Sequence, residues 1–323
     1  MVAQEFAPCK TTEDTAMGEA DSKFIWMDGE LKPFQEASVH VLSHSLHYGT
    51  AAFEGIRAYR TRDGRTAVFR AREHMERFEK SMRAFGGTTT FTTDDLIGAM
   101  ARTIRANEFD ECYVRPIGYI GNSTRGLKLP AHPPMHVAIA AWRWGQYLGA
   151  EAMQKGIRAI IASFRRPDVA SSLPWAKLSG NYLNSIMARR EATLAGVDEA
   201  ILLDQQGRVA EGTGENIFIV QKGEVLTPPT DAILPGITRE SIMDLARHAG
   251  LTLREQPLTR NQLYDADEVL FSGTAAEVTP VTEINGRIIG NGKPGPISRQ
   301  LAELYERATR GGHEEFASWL TYV

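Results

Sequence analysis

Two cysteines, Cys9 and Cys112, are too few and too far apart in 323 residues to build a disulfide framework or a zinc site. They fit a reducing, cytoplasmic setting. No stretch approaches the roughly 18 consecutive apolar residues that would span a bilayer. Basic runs are also missing, and the formal net charge of -4 speaks against a nucleic-acid partner. There are no repeats, no low-complexity segments and no Gly-x-x-x-x-Gly-Lys-Ser/Thr loop, which leaves nucleotide hydrolysis unsupported. The first 22 residues carry Glu5, Glu13, Asp14, Glu19 and Asp21 around no apolar core. They read as a polar, disordered leader and not as a secretory signal.

What is present suits a globular protein. A hydrophobic content of 42% over 323 residues can fill two cores. Strand-like runs at 24–27 and 30–34 flank an Asp28-Gly29 turn, and runs at 53–60 and 65–70 flank Asp63-Gly64; such dipeptides supply the positive φ of tight hairpins. Helical patterns follow at 72–85 and 94–106, with Thr93 as the expected N-cap, then strands at 111–121 and 136–144. Residues 23–141 thus read as a small α+β domain, and 142–152 as an interdomain loop whose aromatics either pack a linker or wall a pocket. The larger domain, 153–323, is expected to hold strands at 157–164, 199–204, 216–221, 252–255, 268–271 and 277–284, and helices after Gly236, at 296–310 and at 313–320.

Several stretches can carry chemistry. Lys177 stands where Leu178, Tyr182, Leu183, Ile186, Met187 and Leu194 begin to recur at helical spacing, which predicts a helix with that face buried and the lysine at its mouth. Desolvation there favours the free amine, a nucleophile toward carbonyls; the plainer reading is an exposed lysine at a helix start. Glu211 sits among glycines in Glu211-Gly212-Thr213-Gly214-Glu215-Asn216, where a ligand could approach the backbone or the chain could simply turn. The turns at 234–240 and 271–276 expose backbone N–H groups and the hydroxyls of Thr238 and Thr274, and together could hold one phosphate; the threonines could equally be caps. Arg77 shares its helix with Arg70, Arg72 and Arg83, as a solvated basic face would. Arg115, among apolar strand residues, needs a partner: a ligand carboxylate or a structural ion pair. His40, His44 and His47 lack the spacing and companions of a zinc site, so no metal is expected.

Read together, these stretches resemble the branched-chain amino-acid aminotransferases, fold type IV pyridoxal-phosphate enzymes, from about residue 25 to 297. The carriers, in order, are the segments 40–50, 53–57, 72–77, 113–116, 176–183, 211–216, 234–239 and 272–277. Each is modest alone; their order makes the signal. The resemblance implies an α+β, two-domain architecture, a small α/β domain beside a larger one with a β-barrel-like core. It implies pyridoxal 5'-phosphate as cofactor, amino acids and 2-oxo acids as substrates, and a homodimer or larger homo-oligomer.

Residue by residue, Lys177 matches the family's Schiff-base lysine, Glu211 the partner of the pyridine nitrogen, and Tyr182 the tyrosine beside the ring hydroxyl. Arg77, Ile237, Thr238 and Thr274 match the phosphate cradle. Tyr48, Phe53, Gly55, Tyr113, Arg115 and Tyr147 match the substrate pocket, with Thr274 and Ala275 in its floor. The implied reaction is transamination of leucine, isoleucine and valine with 2-oxoglutarate. One departure is Arg125, at a position usually apolar and near substrate; it either broadens acceptance toward acidic or larger substrates or points to solvent. The rivals are a D-amino-acid or R-amine transaminase or an aminodeoxychorismate-type lyase of the same fold, and, in another class, a non-catalytic anion-binding module.

Overall fold

The computed structural model describes residues 22–144 and 152–323. The first part of the chain forms β1 (Phe24–Met27), β2 (Glu30–Pro33), α1 (His44–Tyr48), β3 (Ala51–Phe53), β4 (Ile56–Arg60), β5 (Thr66–Phe69), α2 (Ala71–Arg83), α3 (Thr93–Ala106), β6 (Cys112–Tyr119) and β7 (His136–Trp142). The rest forms α4 (Ala152–Lys155), β8 (Ile157–Arg165), α5 (Tyr182–Leu194), β9 (Glu199–Leu203), β10 (Arg208–Gly212), β11 (Asn216–Gln221), β12 (Glu224–Thr227), α6 (Ile237–His248), β13 (Leu253–Glu255), β14 (Leu258–Thr259), α7 (Arg260–Tyr264), β15 (Glu268–Gly273), β16 (Glu277–Ile284), β17 (Arg287–Ile288), α8 (Pro296–Thr309) and β18 (Leu320–Tyr322).

The first sheet runs β18-β5-β4-β6-β7-β1-β2, with β3 also on β6. Its β1–β2 hairpin turns through Asp28 and Gly29, both at positive φ, as the dipeptide predicts. Helices α2 and α3 cover one face: Met75, Phe78 and Met82 from one, Leu96, Met100 and Ile104 from the other, pack with Trp26, Ile56, Val114 and Ile139 of the strands. Both helices are amphipathic in the usual way, large apolar residues inward.

The second sheet closes. Strands β11-β15-β16-β8-β9-β10 follow one another, and β10 pairs back onto β11 at Glu211↔Asn216, so six strands make a barrel. Ile201, Val209, Ile217, Ile219, Phe271 and Ile284 belong to its core, as expected of a barrel this small. Strands β9 and β11 are buried almost end to end because α5 covers one side of the barrel while α6 and α8 pack elsewhere. The seam of closure is where Glu211 lies. A second apolar cluster joins α6 and α8 to Tyr59 and Phe69 of the first sheet, and fixes barrel and sheet against each other.

Several sequence expectations need correction. Glu54 and Gly55 break the run at 53–60 into β3 and β4. The N-cap of α3 is Thr92, in a capping box with Asp95, and not Thr93. Residues 313–320 are a 3-10 turn over Glu314–Trp319, after which β18 joins the first sheet beside β5.

The largest correction concerns α5. Leu183, Ile186 and Leu194 are 65%, 61% and 76% exposed, while the buried residues are Ser185, Ala188 and Ala192. Both stripes have helical period. The small one wins the inner face because Ala188 and Ala192 let the helix lie close on Ala162, Ala200 and Leu202 of β8 and β9.

Candidate active site

Lys177 does not open the helix directly. It lies in an extended stretch, separated from α5 by a 3-10 turn at Ser179–Asn181. The first sheet's side of the molecule pins that stretch: Ser81 Oγ accepts from the Lys177 N–H at 3.0 Å, and the Phe53 N–H donates to the Lys177 carbonyl at 3.1 Å. With its backbone held, the side chain reaches Tyr182, and Nζ donates to the phenol oxygen at 2.6 Å.

Glu211 faces the same cavity as Lys177. Its Oε1 pairs with Arg166 at 2.8 Å; its Oε2 accepts from Asn216 at 3.1 Å and from the Leu234 N–H at 3.2 Å. Burial pushes the Glu211 carboxyl up, and Arg166 opposes this without cancelling it. A carboxylate so placed gains from one more proton donor, such as the N–H of a protonated ring. Next to it, Glu215 is pushed up to about 8, by burial first and by the nearby Glu199 second.

An anion cradle closes the other end. Helix α6 begins at Ile237 with no side-chain cap, so the N–H groups of Ile237 and Thr238 stand free at a helix N-terminus that lines the cavity. Any side chain at Gly236 would displace Asn216, since a Cβ there would lie 1.9 Å from Asn216 Oδ1. Across from it come Ser272, Gly273 and Thr274, and the buried Ser272 Oγ has no partner among the described residues. Arg77 completes the set. It donates to both Glu54 oxygens at 2.8 and 2.9 Å and to the Pro235 carbonyl at 2.8 Å, which leaves two of a guanidinium's five N–H donors for a ligand. Although burial alone would raise it, the Glu54 carboxyl is held well below the usual range by Arg77 and His74. Arg77 is therefore partly buried and paired, not part of a solvated face.

Of the remaining predicted residues, Phe53, Gly55, Tyr113 and Arg115 form an adjoining cluster that does not line the cavity itself. Phe53 links the two, its ring 5.0 Å from Lys177 Nζ and 4.7 Å from the Tyr182 ring. Behind it the Arg115 guanidinium lies 4.9, 5.3 and 5.7 Å from the rings of Phe53, Tyr113 and Trp142. Its Nη2 donates to the Tyr113 hydroxyl at 3.2 Å, its Nε is unsatisfied, and no carboxylate pairs with it among the described residues. Gly55 makes room for that hydroxyl, since a Cβ there would lie 1.9 Å from Tyr113 Oη.

Tyr48 is half exposed on α1, Ala275 is partly buried, and Arg125 is exposed on a turn tethered by His44 Nε2 to the Gly126 carbonyl at 2.8 Å. Tyr147 lies outside the described residues. His44 uses its other nitrogen on Thr50, and His47 contacts the Val41 carbonyl, so these two rings hold a loop.

Sequence reasoning missed Arg166, Glu54 and Asn216. Glu54 was within reach, an acid beside Gly55 in a run that otherwise reads as a strand; nothing marks Arg166 at the end of β8.

A family model described as "Amino-transferase class IV" matches residues 51–284. The chain belongs to this family. A curated branched-chain-amino-acid aminotransferase of Pseudomonas aeruginosa is 44% identical over 299 residues, covering 93% of this chain and 97% of that protein. The crystal structure of the T.th. branched-chain amino acid aminotransferase with pyridoxamine 5'-phosphate is 44% identical with a TM-score of 0.91, over 94% of this chain and 99% of that one. The Escherichia coli branched-chain amino acid aminotransferase gives a TM-score of 0.90 at 42% identity, over 93% of this chain and 98% of that one. The expected fold is the one observed, barrel included.

Proposed function

We propose that this aminotransferase transfers the amino group of L-leucine, L-isoleucine or L-valine to 2-oxoglutarate, using pyridoxal 5'-phosphate held in the cavity described above. One observation carries the reading: Lys177 Nζ, the Tyr182 hydroxyl and the buried Glu211 carboxyl line a single cavity that ends in an uncapped helix N-terminus. The donor set fits the group, with free N–H groups, the unpaired Ser272 hydroxyl and spare Arg77 donors for a phosphate, and Glu211 for a ring N–H. When bound, the cofactor supplies an aldehyde for amines and a ring that accepts the electron pair left when the substrate's α C–H bond breaks.

The chain's own residues do the rest. Lys177 Nζ would hold the aldehyde carbon and would serve as the base for the substrate's α proton. Tyr182 holds that nitrogen in place. Glu211, set by Arg166 and Asn216, keeps the ring nitrogen protonated. Arg115 receives a substrate carboxylate over its bed of rings, Tyr48, Phe53, Gly55, Tyr113 and Tyr147 shape the side-chain pocket, and Thr274 with Ala275 forms its floor. Arg125 points to solvent.

The same reading extends to assembly: a homodimer. Exposed Leu183 and Ile186 on α5, and Val41 and Leu46 around α1, belong to the two segments that the Gly180 N–H joins through the Gly49 carbonyl at 3.2 Å. Burial against a second copy would recover about 1.5–3 kcal/mol for each large side chain. Replacing Leu183 and Ile186 together by Glu should halve the mass in sedimentation. The two-domain division at 23–141 and 153–323 and a cytoplasmic location belong to the proposal too; no helix among the described residues is long and apolar enough to cross a membrane.

An amino-donor panel with 2-oxoglutarate tests the activity. Glutamate should form with L-leucine, L-isoleucine and L-valine. Consumption of D-amino acids or R-amines in their place would overturn the assignment.

A further inference from the structure

Glu277 directly follows the turn Gly273–Ala276, yet it is absent from the cavity lining. Its backbone has φ +53, the left-handed region that glycine favours, so something holds a glutamate there. The restraint comes from β4: Tyr59 donates to Glu277 Oε1 at 2.9 Å and Arg57 Nη1 donates to the same oxygen at 3.1 Å. Burial, and then Glu277 itself, push the Tyr59 phenol well up, so it stays a donor.

Arg57 has a second task. Its Nη2 donates to the Trp144 carbonyl at 3.2 Å, and the Trp144 ring stands edge-on to Tyr113 at 4.5 Å. Arg57 is also the strand partner of Tyr113. A continuous set of contacts therefore runs from the floor turn through Glu277 and Arg57 to the aromatic cluster that carries Arg115. Tyr305, in contact with both Tyr59 and Thr238, extends the same set to the phosphate end.

We propose that Glu277 is a positioning residue that sets the distance between the substrate floor, Thr274 and Ala275, and the Tyr113–Arg115 wall. It touches neither substrate nor cofactor. Its carboxylate fixes the turn in a conformation the backbone alone would leave, and misplacing the floor weakens substrate binding more than it slows chemistry. The inference rests on the substrate-floor role given to Thr274 and Ala275 above.

Glu277→Gly tests it, because glycine accepts φ +53 and the fold is not penalised at that backbone position. KM for L-leucine and for 2-oxoglutarate should each rise about tenfold, with kcat within about threefold of wild type. The visible spectrum of the bound cofactor should stay as in wild type, while the melting temperature falls because Arg57 and the buried Tyr59 lose their shared acceptor. Glu277→Gln, which keeps an acceptor for Tyr59 and Arg57, should restore KM to within about threefold. Glu303→Gln, on the exposed face of α8 nearby, should change neither constant.

KM unchanged in Glu277→Gly, or raised only in step with lost cofactor absorbance, would overturn the positioning role while the aminotransferase reading stands. Absence of transamination by the wild-type protein would overturn both.

Discussion

The barrel side and the first-sheet side of the site treat charge in opposite ways. At the barrel seam Glu211 is answered by Arg166 and Asn216, and deeper in, Glu199 is paired with Arg189. On β6, Arg115 has three aromatic faces and a phenol but no carboxylate among the described residues. Burying an unanswered guanidinium is costly, so it is tolerated where a ligand supplies the anion. On the proposed reading, the barrel side holds a group that stays and the first-sheet side receives one that comes and goes.

This contrast predicts which kinetic constant each side controls. Glu211→Gln should lower kcat by roughly 100- to 1000-fold with little change in KM, since it removes the charge that stabilises the reacting ring. Arg115→Gln should do the reverse and raise KM for amino acid and 2-oxo acid by roughly 10- to 100-fold, the worth of a charge-assisted hydrogen bond. Steady-state kinetics on both variants decide the matter. If both lose kcat alone, the division between the two sides is wrong.

A smaller effect separates the sides by pH. An ordinary carboxyl titrates near pH 4.3 in an unfolded chain, whereas Glu215 keeps its proton to about 8. The stability tied to that proton is present in full below the unfolded value and is lost as pH rises through the folded one. Glu215→Gln cannot lose a proton, so its melting temperature should fall less than that of wild type between pH 6 and pH 9. Parallel melting curves would contradict this. The least effect is expected at Arg125, exposed on its turn. Arg125→Met should leave the ratio of leucine to glutamate turnover within about twofold; a tenfold change would bring that side chain into a substrate pocket.

Much of this was legible in the sequence where one residue type has one physical use. Asp28-Gly29 marked its hairpin because few other dipeptides tolerate positive φ, and Arg115 stood out as a charge inside a strand. The motifs at 176–183 and 211–216 pointed to Lys177 and Glu211 and hence to a shared cavity. Less legible was anything that two patterns claimed at once. On α5 both stripes repeat at helical spacing, and only the closeness of β8 and β9 picks the alanines for the inside. Residues 211–216 were open to a simple turn because Gly212 and Gly214 mask the end of the strand, Arg208–Gly212, that closes the barrel. Arg166 and Glu277 are charged residues at strand ends, where charge is common, and only their partners give them meaning.

The central claim is that the amine at position 177 bears the cofactor. Borohydride reduction of the protein loaded with pyridoxal 5'-phosphate, followed by peptide mass mapping, tests it most directly. The account predicts a phosphopyridoxyl mass on the peptide containing Lys177, and no label in Lys177→Ala. Label on any other lysine, or equal labelling of the variant, would contradict it.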